Sequence, residues 1–124
     1  MKKLFLVSAL LLILIPVKSF SQEFDDIKGT WVVDLKPSPD SEPYLKEFVV
    51  GDITGKTFIG TFYDTEFKEG KLNNNWEVIY FAFSTSDYSI DYFHSGYFKD
   101  GVVYGISYAP GRDLLIPWTG KKKE

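Results

Sequence analysis

The chain has 124 residues, a formal net charge of −3, 18% aromatic residues and no cysteine. Without cysteine it can form neither disulfides nor thiolate metal sites, so side-chain packing must stabilise the fold. The acidic balance also argues against nucleic acid as a partner, because an acidic surface repels phosphate groups.

The first 21 residues have the three zones of a secretory signal peptide. Lys2 and Lys3 precede an apolar run over residues 4–17, and the small residues Ser19 and Ser21 follow it. The apolar run is shorter than the roughly 20 residues that cross a bilayer. We therefore expect cleavage after residue 21, a secreted or periplasmic protein, and no membrane partner afterwards.

The rest of the sequence consists of short runs rich in β-branched and aromatic residues, separated by Gly, Pro, Asn and Asp. Three prolines between residues 36 and 43 exclude a central strand there, because proline has no amide hydrogen to donate. Lys121, Lys122 and Lys123 are expected to form a solvated tail. Eight runs are predicted as strands: residues 29–36, 44–50, 57–64, 65–72, 76–84, 88–99, 102–108 and 113–120.

The strongest local signal is Asp100-Gly101, which is typical of a two-residue hairpin turn. This turn fixes the pairing of the sixth and seventh strands. It predicts three pairs on one face: Phe98 with Val103, Gly96 with Gly105, and His94 with Ser107. The facing glycines predict either a bend in the sheet or open space beside it.

Eight short strands in simple order can avoid exposed edges by closing into a barrel. The sequence therefore predicts an all-β protein: an eight-stranded, antiparallel, up-and-down β-barrel in a single domain over residues 22–124. This region holds 11 Lys and Arg, since three of the 14 lie in the leader, against all 17 Asp and Glu, so its formal charge is −6.

The opening Ile27-Lys28-Gly29-Thr30-Trp31 resembles the Gly-x-Trp first strand of the calycin superfamily, which includes lipocalins, fatty-acid-binding proteins and avidins. The length and order of the runs are most similar to the avidin type. Further similarities are Thr54-Gly55, Gly60-Thr61-Phe62, Trp76 and Ser95-Gly96-Tyr97. The resemblance implies a barrel whose interior holds side chains or one small ligand.

The biotin site of avidins is not matched. Val33, Phe62, Ile90 and Tyr92 stand where the resemblance places the polar partners of the ureido group. A buried ureido group without those hydrogen bonds would lose roughly 1–3 kcal/mol for each one. Biotin is therefore not expected as the ligand.

The register implied by the resemblance gives an aromatic interior with a few polar tips. The residues that would then face inward are Trp31, Val33, Phe58, Phe62, Trp76, Tyr80, Tyr92, His94 and Trp118. The ligand-binding residues predicted from this set are Trp31, Phe62, Trp76, Tyr80, Tyr92, His94 and Trp118.

The same register leaves a large apolar surface on the later strands, which would imply a partner face or a homo-oligomer. Its members would be Ile79, Phe81, Phe83, Phe93, Tyr97, Tyr104, Ile106 and Tyr108. A shift of the fifth strand by one residue would instead bury Ile79, Phe81 and Phe83 in the core. The sequence leaves both registers open.

His94 is the only histidine in the chain. It is either hydrogen-bonded to Ser107 or water, or a ligand of a haem iron in an aromatic cavity. A zinc site needs about three protein ligands, so we expect no metal and no cofactor. The acidic pairs Asp64 with Glu66 and Asp87 with Asp91 fall in or beside turns, and we assign no catalytic residues.

The sequence thus predicts a non-enzymatic binding module that takes a small, flat or apolar ligand at the mouth of the barrel. The proline-rich loop 37–43 would form a rim or lid of that mouth. The alternative is a protein–protein interaction module, such as an inhibitor, with a solid interior and an outward aromatic face. The volume of the interior cavity distinguishes the two.

Overall fold

The computed structural model describes residues 23–124, so the signal peptide predicted for residues 1–21 lies outside the described residues. The eight strands are β1 Gly29–Asp34, β2 Leu45–Thr54, β3 Thr57–Phe62, β4 Thr65–Asn73, β5 Ile79–Asp87, β6 Ile90–Lys99, β7 Val102–Ala109 and β8 Leu114–Lys122. Short 3₁₀ helices lie at Phe24–Ile27 and Pro110–Arg112.

Each strand pairs antiparallel with the next, and β8 pairs with β1 to close the barrel. The predicted fold class is therefore confirmed. In the part of the chain that the structure describes, no helix has the length and apolar character needed to span a membrane.

The turn between β6 and β7 has the backbone that Asp100-Gly101 predicts. Asp100 and Gly101 have φ values of 53° and 79°, the positive values that a mirror-image hairpin turn requires. The three predicted pairs across this hairpin are all present, including His94 with Ser107. Local turn chemistry alone was enough to determine this register.

One end of the barrel is closed by the 3₁₀ helix before β1. Ile27 in this helix is buried, and its carbonyl oxygen accepts a hydrogen bond of 2.9 Å from Nε1 of Trp31. The Gly-x-Trp element thus joins the helix to the first strand. We call this the closed end; the loops after β1, β3, β5 and β7 surround the opposite, open end.

The middle of the barrel is filled by phenylalanine rings. Phe48 on β2 is fully buried, and its ring centroid lies within 6.5 Å of six other aromatic rings. These rings belong to Phe62, Phe67, Phe81, Phe83, Phe98 and Trp118. Aromatic pairs at such distances stabilise a core beyond the area that they bury.

The fifth strand, β5, has the alternative register, which is shifted by one residue from the one that the resemblance implies. Ile79, Phe81 and Phe83 are 2%, 3% and 6% exposed, so the prediction that they lie outside is wrong. The prediction that Trp76 and Tyr80 point inward is wrong for the same reason: they are 65% and 46% exposed. Burying the more apolar of the two alternating sets removes more hydrocarbon from water, and this preference decides the register.

The basic C-terminal residues are not a tail. β8 extends to Lys122, which pairs with Trp31, and the Lys123 amide donates to the Thr30 carbonyl. The paired glycines do not leave open space beside the sheet. The Trp118 ring occupies the space beside Gly105, and the Tyr104 carbonyl occupies the space beside Gly96. Neither glycine opens a void.

Candidate functional site

A cavity of about 450 Å³ lies at the open end of the barrel. Its lining residues are Leu35, Pro37, Tyr44, Phe62, Tyr63, Thr65, Thr85, Ser86, Asp87, Tyr92, His94, Ser107, Arg112, Leu114 and Ile116. Most of this wall is aliphatic or aromatic, and the polar groups are concentrated at the floor and at the rim.

Two pairs of neighbouring strands in the barrel lack cross-strand pairing towards this end. β1 pairs with β8 only over Thr119 to Lys122, and β4 pairs with β5 only over Lys71 to Asn73. Beyond these points the strands of each pair have no cross-strand pairing. The cavity lies at this unpaired end, above the solid middle of the barrel.

The floor is a chain of hydrogen bonds centred on His94. Its Nδ1 lies 2.7 Å from Ser107 Oγ, and its Nε2 lies 2.9 Å from Thr85 Oγ1. Trp118 donates from Nε1 to Ser107 Oγ over 2.8 Å. All four residues are buried, so the chain satisfies polar groups that would otherwise be costly in an apolar interior.

Burial lowers the pKa of His94 from 6.5 to about 4. The imidazole is therefore neutral at physiological pH and carries one N–H. The rings of Phe62 and Phe83 lie 4.4 and 4.8 Å from it, centroid to centroid. An apolar environment of this kind disfavours the charged form of the ring.

The number of donor hydrogens in this hydrogen-bond network determines how many the floor can offer to a ligand. A neutral His94 and the two hydroxyls supply three hydrogens, and the two contacts between them use two. In either tautomer one hydroxyl hydrogen, on Thr85 or Ser107, stays available to the cavity. The floor thus offers one uncharged donor and no net charge.

The rim has aromatic and charged groups. Arg112 donates from Nη1 to the Tyr92 hydroxyl over 2.9 Å, and Asp87 lies nearby on the rim. On the other side, the hydroxyls of Tyr44 and Tyr63 are hydrogen-bonded to each other. These groups could orient the exposed end of a bound molecule.

The loop 37–43 is fixed at its base beside the mouth. The Asp34 carboxylate accepts hydrogen bonds from the backbone N–H groups of Tyr44 (3.0 Å) and Lys36 (3.1 Å). The Tyr44 bond is the main reason why the pKa of Asp34 is lowered. Pro37, inside the loop, lines the cavity, as expected for a rim.

Of the seven predicted site residues, Phe62, Tyr92 and His94 line the cavity. Trp118 lies behind it and supports the floor through Ser107. Trp31 is buried near the closed end, where its ring packs 5.0 Å from Phe98. Trp76 and Tyr80 lie on the outer surface, beside a shallow depression far from this cavity.

Several site residues were not predicted. Thr85 follows from the shifted register of β5, since it continues the inward set of Phe81 and Phe83. Arg112 and Asp87 lie in or beside turns, and no local pattern distinguishes them from solvated charges. The hairpin turn predicts Ser107 opposite His94, and the hydrogen bond between their side chains is confirmed.

The floor does not suit metal or haem ligation. Both ring nitrogens of His94 have hydroxyl partners, and two phenylalanine rings pack close to the imidazole. A macrocycle could not approach this ring without displacing them. Among residues 23–124, no group of three or more His, Cys, Asp or Glu side chains could hold a metal ion.

The contact between Ser107 and His94 has the length of a nucleophile and its base, but its chemistry is weak. Thr85, not a carboxylate, contacts the second ring nitrogen, so no anion stabilises an imidazolium there. A histidine with a pKa of about 4 is also a poor general base near neutral pH. The arrangement suits binding better than proton transfer.

Comparison of the chain with protein-family models, with curated proteins and with solved structures found no match. The closed eight-stranded barrel is compatible with a calycin-like fold.

Proposed function

We propose that this protein is an exported, non-enzymatic binding module that holds a small, flat or apolar ligand at the open end of its barrel. The observation that carries the proposal is the 450 Å³ cavity, whose apolar walls meet a neutral, hydrogen-bonded floor. Apolar walls with a few convergent polar groups are typical of small-molecule sites, which measure roughly 300–1,000 Å³.

The cavity volume also supports a ligand over a solid barrel. At about 30 Å³ for each water, the space corresponds to roughly 15 waters, far more than a packing defect. A flat molecule of two or three rings fits such a volume. Phe62 and Tyr92 line the cavity, so a bound ring system would contact aromatic side chains there.

Binding of the uncharged fluorophore N-phenyl-1-naphthylamine tests the proposal. We expect saturable binding at one site with a blue-shifted emission. Ile116→Trp, which adds a ring inside the cavity, should abolish this binding. Ile116 is half-buried and lines the cavity.

Leu115→Trp is the matched control, because Leu115 precedes Ile116 on β8 and is 66% exposed. It adds the same ring on the outside and should leave binding unchanged. Absence of binding to the unmodified protein would contradict the proposal. So would equal loss in both variants, since that would place the probe on the outer surface.

A second function is favoured by the outer face of β5 to β8. Three consecutive cross-strand rows contain no charged residue. The rows are Ser84, Phe93, Tyr108 and Leu115; Ala82, Ser95, Ile106 and Pro117; and Tyr80, Tyr97, Tyr104 and Thr119. We propose that a second copy of this chain covers the face, because residues 22–124 have a formal charge of −6 and two copies approach each other most easily where they have no charge.

A further inference from the structure

We infer that the ligand is anionic: a flat or apolar body that carries one carboxylate or sulfonate, with this group held at the mouth by Arg112. The inference rests on the proposed function and names the ligand class for the same cavity.

The floor cannot accept the anion. Thr85, His94 and Ser107 are 8%, 4% and 4% exposed and carry no net charge. Moving a carboxylate into such surroundings costs far more than one neutral hydroxyl can return. The apolar end of the ligand therefore points towards His94, and any charged group stays at the mouth.

Arg112 provides a cation at that mouth. It lines the cavity, and Nη1 is held by the Tyr92 hydroxyl. Among the described residues, the ion pairs within 4.0 Å are Lys28 with Asp52 and Lys123 with Glu47, so no carboxylate of this part of the chain lies within 4.0 Å of the Arg112 guanidinium, and Asp87 acts on it only from a longer distance. A guanidinium has five N–H donors arranged as a fork that fits a carboxylate.

Lys46 adds a second positive charge on the opposite side of the rim. It pairs with the fully buried Val33, and directly paired residues share a face, so its side chain starts towards the interior. Its Nζ lies 4.6 Å and 5.0 Å from the ring centroids of Tyr63 and Tyr44, which both line the cavity.

Asp87 is the carboxylate that lines the cavity, so it opposes the two cations. Asp64, Asp91 and Asp113 belong to the same end of the barrel but are exposed and are not part of the lining. Lys46 is not part of the lining either, so within the lining one cation, Arg112, faces one anion, Asp87. The mouth is therefore locally neutral, whereas the whole molecule is acidic.

The test compares two probes with one skeleton: N-phenyl-1-naphthylamine, which is uncharged, and 1-anilinonaphthalene-8-sulfonate, which adds a sulfonate. We expect Arg112→Gln to weaken sulfonate binding about 5-fold and Lys46→Gln to weaken it about 2-fold, with less than a 2-fold change for the neutral probe. Asp87→Asn should strengthen sulfonate binding about 2-fold.

Lys99→Gln is the charge-matched control, because Lys99 is exposed at the closed end of β6, and it should change neither probe. If Arg112→Gln weakens both probes equally, or if Lys99→Gln matches its effect, the inference is wrong. One outcome is that the neutral probe binds while the ratio of the two probes' affinities is the same in Arg112→Gln as in the unmodified protein. In that case this inference fails and the proposed function stands. If the neutral probe does not bind at all, the proposed function fails as well.

Discussion

At the scale of single residues, His94 connects stability to pH. Its pKa is about 4 in the folded protein and about 6.5 when exposed, so between these values the unfolded chain binds more protons. The contribution of neutral His94 to the free energy of unfolding is therefore complete above pH 6.5 and is lost as the pH falls towards 4. The shift corresponds to about 3 kcal/mol in total.

We predict that the free energy of unfolding in urea falls between pH 6.5 and 4.5, and that His94→Gln removes most of this fall. Because the chain has no second histidine, carboxylates are the other groups that titrate near the lower limit. Imidazole proton shifts measured by NMR should report a midpoint near pH 4 in the folded state. A midpoint near 6.5 would mean that the ring is solvated and the floor is not as described.

At the scale of elements, glycines set how closely β6 and β7 can approach. An added Cβ on Gly96 would collide with the Tyr104 carbonyl oxygen and lie 2.7 Å from the Gly105 Cα. Backbone atoms cannot move aside as a flexible side chain can. Gly101 has open space around it, so an added Cβ would meet no other atom. Its φ of +79° is a backbone conformation that residues with a side chain rarely adopt.

Gly96→Ala should therefore lower the free energy of unfolding by about 2 kcal/mol or more, and Gly101→Ala by about 1 kcal/mol. Gly111→Ala is the control, because its nearest neighbour is 3.9 Å away and its φ is not in the left-handed region. Chemical denaturation followed by tryptophan fluorescence measures all three. Equal stability of the Gly96 and Gly111 variants would show that the sheet tolerates the added methyl group.

At the scale of the whole molecule, the uncharged face of β5 to β8 limits how strongly two copies can associate. Four strands about 4.8 Å apart and three rows about 6.7 Å apart cover roughly 400 Å². A stable interface usually buries about 800 Å² on each partner. The expected assembly is therefore a weak dimer that dissociates on dilution.

Sedimentation velocity at increasing concentration should detect this dimer, with a Kd of roughly 10–500 μM. Ile106→Lys places a charge at the centre of the face and should abolish association. Ile59→Lys makes the same change on β3, where Ile59 is 46% exposed outside the face, and should leave association intact. A protein that stays monomeric up to about 1 mM would refute the dimer.

The sequence alone determined the number of strands, their order and the closure of the barrel. These follow from local physics: turn residues that accept positive φ, prolines that cannot donate, and side chains that alternate with a period of two. The Asp100-Gly101 turn even determined which residue faces His94, and that pair became the floor of the site.

Only the tertiary structure settled which face of β5 is buried, because the register implied by the calycin resemblance pointed Trp76 and Tyr80 inward, against the burial of the more apolar set. It also decided where the cavity lies, at the open end, where β1 with β8 and β4 with β5 have no cross-strand pairing. Arg112 and Tyr92 are 20 residues apart in the chain, and no local pattern joins them. Pairing across a closed sheet is a property of the whole barrel, so residues that meet through it cannot be read from neighbouring positions in the sequence.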